Sequence, residues 1–166
     1  GVRTLDRVKA ILDAGVAVCG HIGLTPQSSG QLGGHKAQGR TLESAKLVVE
    51  DARALCEAGV QLLLVEAVPP EVAGFIRREL PIPVLGIGAG ADVDGQLLIV
   101  SDVLGTFAAF TPKFVKKYAD LAAVSTAALG EYVKDVRGGA FPEEQHCYRM
   151  LEGEQERFAA WAAGAE

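Results

Sequence analysis

The chain has few cysteines, few aromatic residues and no apolar run long enough to cross a bilayer. Its three cysteines, Cys19, Cys56 and Cys147, are widely separated along 166 residues. A zinc site would need closer pairs such as Cys-x-x-Cys, so we expect reduced thiols, with Cys19 and Cys56 packed as small hydrophobic residues. A membrane span needs roughly 18–20 apolar residues in a row. We therefore expect a cytoplasmic protein without a membrane partner.

Basic residues are outnumbered, with 16 Lys and Arg against 21 Asp and Glu, and the net charge is −5. A nucleic-acid partner would need a clustered basic face. Only Lys113, Lys116 and Lys117 cluster, at a helical spacing typical of a solvated surface. The charge pattern thus argues against nucleic-acid binding. Since the chain begins at Gly1 rather than Met, we expect the natural N-terminus to lie upstream.

Helical apolar spacing alternates with short unbroken apolar runs, which predicts an α/β fold. The unbroken run 60–65 is typical of a parallel strand buried on both faces. We favour a strand over a helix for the ambiguous run 97–100. The predicted strands are 16–20, 60–65, 84–87 and 97–100. The predicted helices are 2–14, one capped by Thr41 and stopped by Gly59, 70–80, 112–119, 120–136 and 150–163.

Strands joined by helical crossovers gather their carboxyl ends at one edge, as in a (β/α)8 barrel. Four strands are half of such a barrel. A half barrel would leave two strand edges with unpaired backbone groups. The element order therefore indicates a chain whose first half is missing.

Glu66 and His21 are the residues with the clearest chemical potential. Glu66 ends a buried strand among apolar neighbours, a place that suits a general base. An equally weighted alternative is that Glu66 caps the next helix. His21 follows the preceding predicted strand, so the two side chains would project into one mouth, where the histidine could orient the carboxylate. His21 could instead bond a loop carbonyl.

Two polar or glycine-rich segments carry weaker signals. The run 86–90 resembles a phosphate-binding loop but lacks the complete G-x-G-x-x-G pattern, so its glycines more simply allow a tight turn. The loop after His21 carries His35, Lys36, Gln38 and Arg40, which could contact an anionic substrate or the glutamyl part of a folate. Loop polarity alone explains them equally well.

Seven segments resemble the ketopantoate hydroxymethyltransferase family, in the family's order and spacing across most of residues 1–148. The first is Cys-Gly-His-Ile-Gly-Leu-Thr-Pro-Gln at 19–27, which is more specific than the fold. The others are Gly-Arg at 39–40, Leu-Val-Glu-Ala-Val-Pro at 64–69, Gly-Ile-Gly-Ala-Gly at 86–90, Asp-Gly-Gln-Leu-Leu at 94–98, Thr-Pro-Lys-Phe at 111–114 and Phe-Pro-Glu-Glu-Gln-His at 141–146.

The resemblance implies the C-terminal half of a (β/α)8 barrel in residues 1–148, with a tail at 149–166 that can form a helix. It implies an enzyme, usually a homo-oligomer, that binds Mg²⁺. This enzyme transfers a one-carbon unit from 5,10-methylenetetrahydrofolate to 3-methyl-2-oxobutanoate, a keto acid, giving 2-dehydropantoate for pantothenate synthesis. Glu66 matches the family's proton acceptor, and His21 matches its active-site histidine.

The chain also departs from the family pattern. The carboxylates that hold Mg²⁺ in the family would lie upstream of Gly1, so we expect no metal ligands here and no activity from this fragment alone. Ser101 stands where many members carry histidine. Two alternatives remain: a related keto-acid carbon–carbon lyase, or a non-catalytic half barrel that assembles with a partner.

Overall fold

The chain folds as two compact units, Gly1–Asp120 and Leu121–Glu166. The computed structural model describes residues 1–28, 30 and 33–164. The first unit contains α1 (Leu5–Asp13), β1 (Cys19–Gly23), α2 (Leu42–Glu57), β2 (Leu62–Glu66), α3 (Pro70–Glu79), β3 (Val84–Ile87), β4 (Gly95–Gln96) and α4 (Val100–Val103). The second contains α5 (Leu121–Gly138) and α6 (Glu154–Ala163).

Within the described residues, four strands form one parallel sheet in the order β1-β2-β3-β4. Helices α2 and α3 connect the first three strands, and residues 88–94 connect β3 to β4. The register pairs Gly23 with Glu66 and Glu66 with Ile87. Since sequential strands lie side by side throughout, this is the sheet expected from half of a (β/α)8 barrel, and the predicted fold class is confirmed.

The core lies between one face of the sheet and the helices. Alternate strand residues point to this face, so Ile22, Leu63, Val65 and Val84 are at most 1% exposed. Their helical neighbours in the core cluster include Val8, Val48, Ala52, Leu55, Ala73 and Ile76. The other set of strand residues faces the opposite side, which we call the open face; it includes Cys19, His21, Leu62, Leu64, Glu66 and Leu85, which are partly or largely exposed.

The sequence signals for the starts of α2 and α3 match the structure. The Thr41 hydroxyl accepts a hydrogen bond from the Ser44 amide, and the Ser44 hydroxyl accepts one from the Thr41 amide. This reciprocal pair is a capping box, which satisfies amides that a helix start leaves unpaired. Pro70 is the first residue of α3, where proline's missing amide is no loss.

Two strand predictions are wrong in position. The first strand spans Cys19–Gly23 rather than 16–20, so His21 lies inside the strand and not after it. The fourth strand is Gly95–Gln96, and the apolar run predicted as a strand instead enters α4. The Leu97 amide still donates to the Gly86 carbonyl, but the Asp102 amide donates to Ile99 and starts a helical turn.

Two further predictions in this unit are wrong. Residues 112–119 form no helix, because the segment is held by the Tyr118 amide donating to the Val103 carbonyl and by Phe114 packing against Gly88. Cys19 is exposed rather than packed, since it lies on the open face, whereas Cys56 is partly buried. All three cysteines are free.

The second unit is made of exposed helices joined by a turn. The predicted helix at 150–163 is present as the shorter α6, and the helix predicted at 120–136 corresponds to α5, which begins one residue later and ends two residues later. His146 accepts a hydrogen bond from the Glu143 amide at 3.1 Å and packs on the Phe141 ring, so its described contacts are structural. In the part of the chain that the structure describes, no helix combines the length and apolar character needed to cross a bilayer.

Candidate functional site

His21 and Glu66 meet on the open face near the carboxyl edge of the sheet. His21 lies in the middle of β1 and Glu66 ends β2, and both side chains point away from the helices. The His21 Nε2 and Glu66 Oε2 atoms are 3.1 Å apart. The predicted histidine–carboxylate pair is therefore present, although His21 reaches it from within the strand.

The pair is partly shielded from water. The Glu66 side chain is 12% exposed and the His21 side chain 27%. With the ring proton on Nε2, the imidazole donates to Oε2, which holds the carboxylate in one orientation. Among the described residues, His21 is the one side chain that hydrogen-bonds the Glu66 carboxylate. The other carboxylate oxygen can therefore accept a proton from a bound molecule.

The backbone around Glu66 is tied to its neighbours on both sides. The Leu24 amide donates to the Glu66 carbonyl at 2.8 Å, and the Ala67 amide donates to the Ile87 carbonyl at 2.9 Å. The Gln38 amide donates to the Ala67 carbonyl at 2.9 Å. Both ends of the loop that follows β1 thus contact the end of β2.

Gly23 allows β1 to pass close to the end of β2. Its φ is +82°, and a Cβ there would lie 2.2 Å from the Glu66 carbonyl oxygen and 2.6 Å from Val68 Cγ2. Real side chains do not tolerate such distances. A glycine at this position is therefore needed for the Leu24–Glu66 hydrogen bond to form.

The glycine-rich turn after β3 is filled by packing and does not form an anion cradle. A Cβ on Gly88 would lie 2.5 Å from the Phe114 ring, and one on Gly90 would lie 2.6 Å from Pro70. The Gln96 side-chain amide donates to the Gly90 carbonyl at 2.7 Å. The interpretation of these glycines as turn residues is supported by these contacts.

A cavity of about 560 Å³ lies beside His21. This volume falls within the range typical of small-molecule sites. Its lining includes Arg3, Arg7, Cys19, His21, Thr25 and Gln27. Partial desolvation raises the pKa of the Cys19 thiol, which keeps it protonated and a poor nucleophile. The cavity therefore combines the site histidine with two guanidinium groups.

The two aspartates after the glycine turn serve the structure. Asp94 accepts hydrogen bonds from the Val84 amide and from Arg77 Nε, each at 2.9 Å. These two bonds, the backbone one first, lower the pKa of Asp94. Asp92 pairs with Arg78 at 2.7 Å. Both carboxylates are thus engaged with arginine.

The described residues alone do not fit a Mg²⁺ site. Across residues 1–28, 30 and 33–164, no group of three or more His, Cys, Asp or Glu side chains is placed to hold a metal ion. Mg²⁺ prefers six oxygen ligands in near-ideal octahedral geometry, and Glu66 with His21 supplies a single carboxylate.

The polar loop residues proposed as ligand contacts lie at the surface. His35, Lys36 and Arg40 are exposed, while the Gln38 side chain donates to the Lys36 carbonyl at 2.8 Å. Part of this loop, residues 29, 31 and 32, lies outside the described residues. The suggestion that these side chains contact an anionic ligand stays a prediction.

Sequence reasoning missed two residues that shape the site. Ala67 has a φ of +49°, a left-handed conformation that costs an alanine roughly 1–2 kcal/mol. No pattern in the sequence signals this, because alanine is not a typical residue of that region. Phe114 belongs to a segment singled out at 111–114, but only the fold places its ring on Gly88.

Comparison with known proteins supports one family. A profile of the ketopantoate hydroxymethyltransferase family matches residues 1–144. A 3-methyl-2-oxobutanoate hydroxymethyltransferase of Alkaliphilus metalliredigens (strain QYMF) is 57% identical over 156 residues, covering 94% of this chain and 55% of that protein. One of Oleidesulfovibrio alaskensis is 48% identical over 166 residues, covering 100% of this chain and 57% of that protein.

A third relative of the same name, from Syntrophomonas wolfei subsp. wolfei, is 52% identical over 152 residues, covering 92% of this chain and 55% of that protein. The chain therefore spans about half the length of the curated relatives it matches. The family match covers most of the chain and includes both strands of the His21–Glu66 pair. The chain belongs to the ketopantoate hydroxymethyltransferase family.

Proposed function

We propose that the protein containing this chain transfers a hydroxymethyl group from 5,10-methylenetetrahydrofolate to 3-methyl-2-oxobutanoate, giving 2-dehydropantoate for pantothenate synthesis. The observation that carries the proposal is the 3.1 Å contact between His21 Nε2 and Glu66 Oε2 on the open face of the sheet. It supplies an oriented carboxylate base, the group that this chemistry needs, in a chain whose relatives bear the corresponding name.

Glu66 acts as the base in this proposal. Its carboxylate takes the proton from C3 of the keto acid, and the electron pair of the broken C–H bond becomes an enolate. The enolate carbon forms a new C–C bond to the folate methylene carbon, and both C–N bonds that join this carbon to the folate are broken. The proton taken from C3 and one proton of water end on the two released nitrogens. One water supplies the hydroxyl oxygen overall. A positioned base of this kind contributes typically 10²–10⁴-fold to rate.

His21 orients the base and adapts to its protonation. While Glu66 is ionised, the ring donates from Nε2 to Oε2. Once Glu66 carries the proton, its O–H can donate to an imidazole in the other tautomer, so the contact survives both states. The partial burial of both side chains limits competition from water.

The anionic keto acid can be held by the cationic side of the cavity. Arg7 lines the same cavity as His21, and a guanidinium group binds a carboxylate with two parallel hydrogen bonds. We also propose, from the family resemblance, that Mg²⁺ takes its ligands from parts of the longer protein outside this chain, and that the protein is a homo-oligomer.

The test is a 2-dehydropantoate-forming assay on the full-length protein, with Mg²⁺, 3-methyl-2-oxobutanoate and 5,10-methylenetetrahydrofolate. We expect product with the full-length protein and none with residues 1–166 alone. Full-length protein that binds the keto acid without turnover would favour the non-catalytic alternative. Cleavage of a carbon–carbon bond without folate would favour the lyase.

A further inference from the structure

The residue after Glu66 has an unusual backbone conformation. Ala67 has a φ of +49°, in the left-handed region that favours glycine. Of the residues that the structure describes, it is the one non-glycine residue with positive φ. Such residues persist only where their surroundings fix them, and they cluster at functional sites.

Three segments fix this conformation. The Ala67 amide donates to Ile87 in β3, and the Ala67 carbonyl accepts from the Gln38 amide at the far end of the loop after β1. The Glu66 carbonyl accepts from Leu24 at the near end of that loop. The Ala67 side chain is 8% exposed, so packing adds to these bonds.

We infer that Ala67 is a positioning residue for Glu66: its left-handed backbone, held at both peptide groups, keeps the Glu66 side chain directed at His21. The inference rests on the proposed function, in which Glu66 is the base. Without the turn at Ala67, the chain could not both keep Glu66 in register with Ile87 and present the Ala67 carbonyl to the Gln38 amide.

Replacing Ala67 with glycine can distinguish an effect on the stability of the fold from an effect on the position of Glu66. Glycine would adopt this φ without strain, but it would also reach backbone regions closed to alanine. An Ala67→Gly variant should therefore fold at least as well as the wild type while holding Glu66 less firmly. A residue with a purely structural role would show no loss of turnover when strain is removed.

The experiment compares Ala67→Gly with Ala58→Gly in the full-length protein. Ala58 ends α2 with an ordinary φ of −68°, away from the pair, so it controls for added glycine flexibility. For Ala67→Gly we expect kcat to fall about tenfold, as small misplacements of reacting groups cause, with KM within about twofold and an unchanged or higher melting temperature. For Ala58→Gly we expect kcat to stay within about twofold.

Hydrogen exchange of the Leu24 and Gln38 amides gives a second, activity-independent measurement. Both amides donate to the Glu66–Ala67 turn, and we expect both to exchange faster in Ala67→Gly. Unchanged exchange, kcat within twofold of the wild type, or an equal loss of kcat in Ala58→Gly would overturn the inference. An inactive wild type would overturn the proposed function instead, and the exchange measurement would still decide the role of Ala67.

Discussion

Glu66 and Asp94 are carboxylates at opposite edges of the same sheet, and they differ in what they contact. Asp94 precedes β4 at the amino edge, where it accepts from the Val84 amide and from Arg77. Glu66 ends β2 near the carboxyl edge, where its one described side-chain partner is His21. One carboxylate is bound by fixed donors, and the other faces a group that can itself gain or lose a proton.

In the proposed function, this difference separates a structural carboxylate, Asp94, from the reactive one, Glu66. A backbone amide and a guanidinium stabilise the ionised carboxylate of Asp94, so its pKa lies below the usual range. Because Arg77 lies in α3 and Val84 in β3, the same bonds connect these two elements to the start of β4. Glu66 has neither an arginine nor a backbone amide on its carboxylate among the described residues, and its side-chain partner is His21. Sequence neighbours alone do not reveal this, since both residues are acids flanking strands.

Replacing each carboxylate by its amide should produce the largest contrast in turnover. In the full-length protein, Glu66→Gln keeps size and hydrogen bonding but removes proton acceptance, so kcat should fall roughly 10²–10⁴-fold. Asp94→Asn is the matched control. It should keep kcat within about threefold, since it weakens the bonds of residue 94 to Arg77 and Val84 at the opposite edge of the sheet, a pair of contacts that we call the Asp94 clamp. Steady-state kinetics of product formation measures both, and equal losses in the two variants would remove the distinction.

Glycine-to-alanine substitutions at Gly23 and at Gly15 should lower the free energy of unfolding by different amounts. Gly23 and Gly15 both have positive φ, but a Cβ on Gly23 would collide with the Glu66 carbonyl, whereas nothing lies within 4 Å of one on Gly15. We expect Gly15→Ala to lower the free energy of unfolding by about 1–2 kcal/mol. Gly23→Ala should lower it by about 2–4 kcal/mol. Urea denaturation measures both, and equal losses would show that the close approach of β1 to β2 is not required.

The smallest expected effect is a pH dependence of stability at the amino edge. Since the pKa of Asp94 is lowered in the folded protein, its carboxylate contributes stability above the unfolded-state pKa. That contribution is lost as pH falls through the folded-state pKa. The melting temperature of Asp94→Asn should therefore lie below that of the wild type near pH 7 and converge with it at a pH well below the ordinary Asp pKa of about 3.9. A gap that stays constant down to that pH would contradict the clamp.

The sequence predicted the contact between His21 and Glu66 better than it predicted the bounds of the strands around them. The unbroken apolar run before Glu66 located β2, and the spacing of strands brought His21 to the same face. Apolar runs could not fix the strand ends, however, because hydrogen bonds between neighbouring strands decide where a strand begins. Just before β1, the Val18 amide bonds to the Gln61 side chain rather than to a backbone carbonyl, while the Val18 carbonyl accepts from the Gln61 amide. In the run at 97–100, the Leu97 amide still bonds to the Gly86 carbonyl, but Val100 is already the first residue of α4.

Local patterns also fail where distant contacts decide the backbone. The lysines at 113, 116 and 117 have helical spacing, yet Phe114 is held against Gly88 and the segment stays irregular. Ala67 has no composition cue, since its left-handed conformation is imposed by β3 and by the loop after β1. The irregular segment around Phe114 and the left-handed Ala67 could therefore be identified only from the three-dimensional structure.

The most direct test of Glu66 as the base isolates proton abstraction from the rest of the reaction. Full-length protein is incubated with 3-methyl-2-oxobutanoate in D₂O without folate, and loss of the C3 proton signal is followed by NMR. We expect the wild type and Asp94→Asn to exchange the C3 proton for deuterium, and Glu66→Gln to do so at least about 100-fold more slowly. Exchange by Glu66→Gln at the wild-type rate would contradict the assignment of Glu66 as the base.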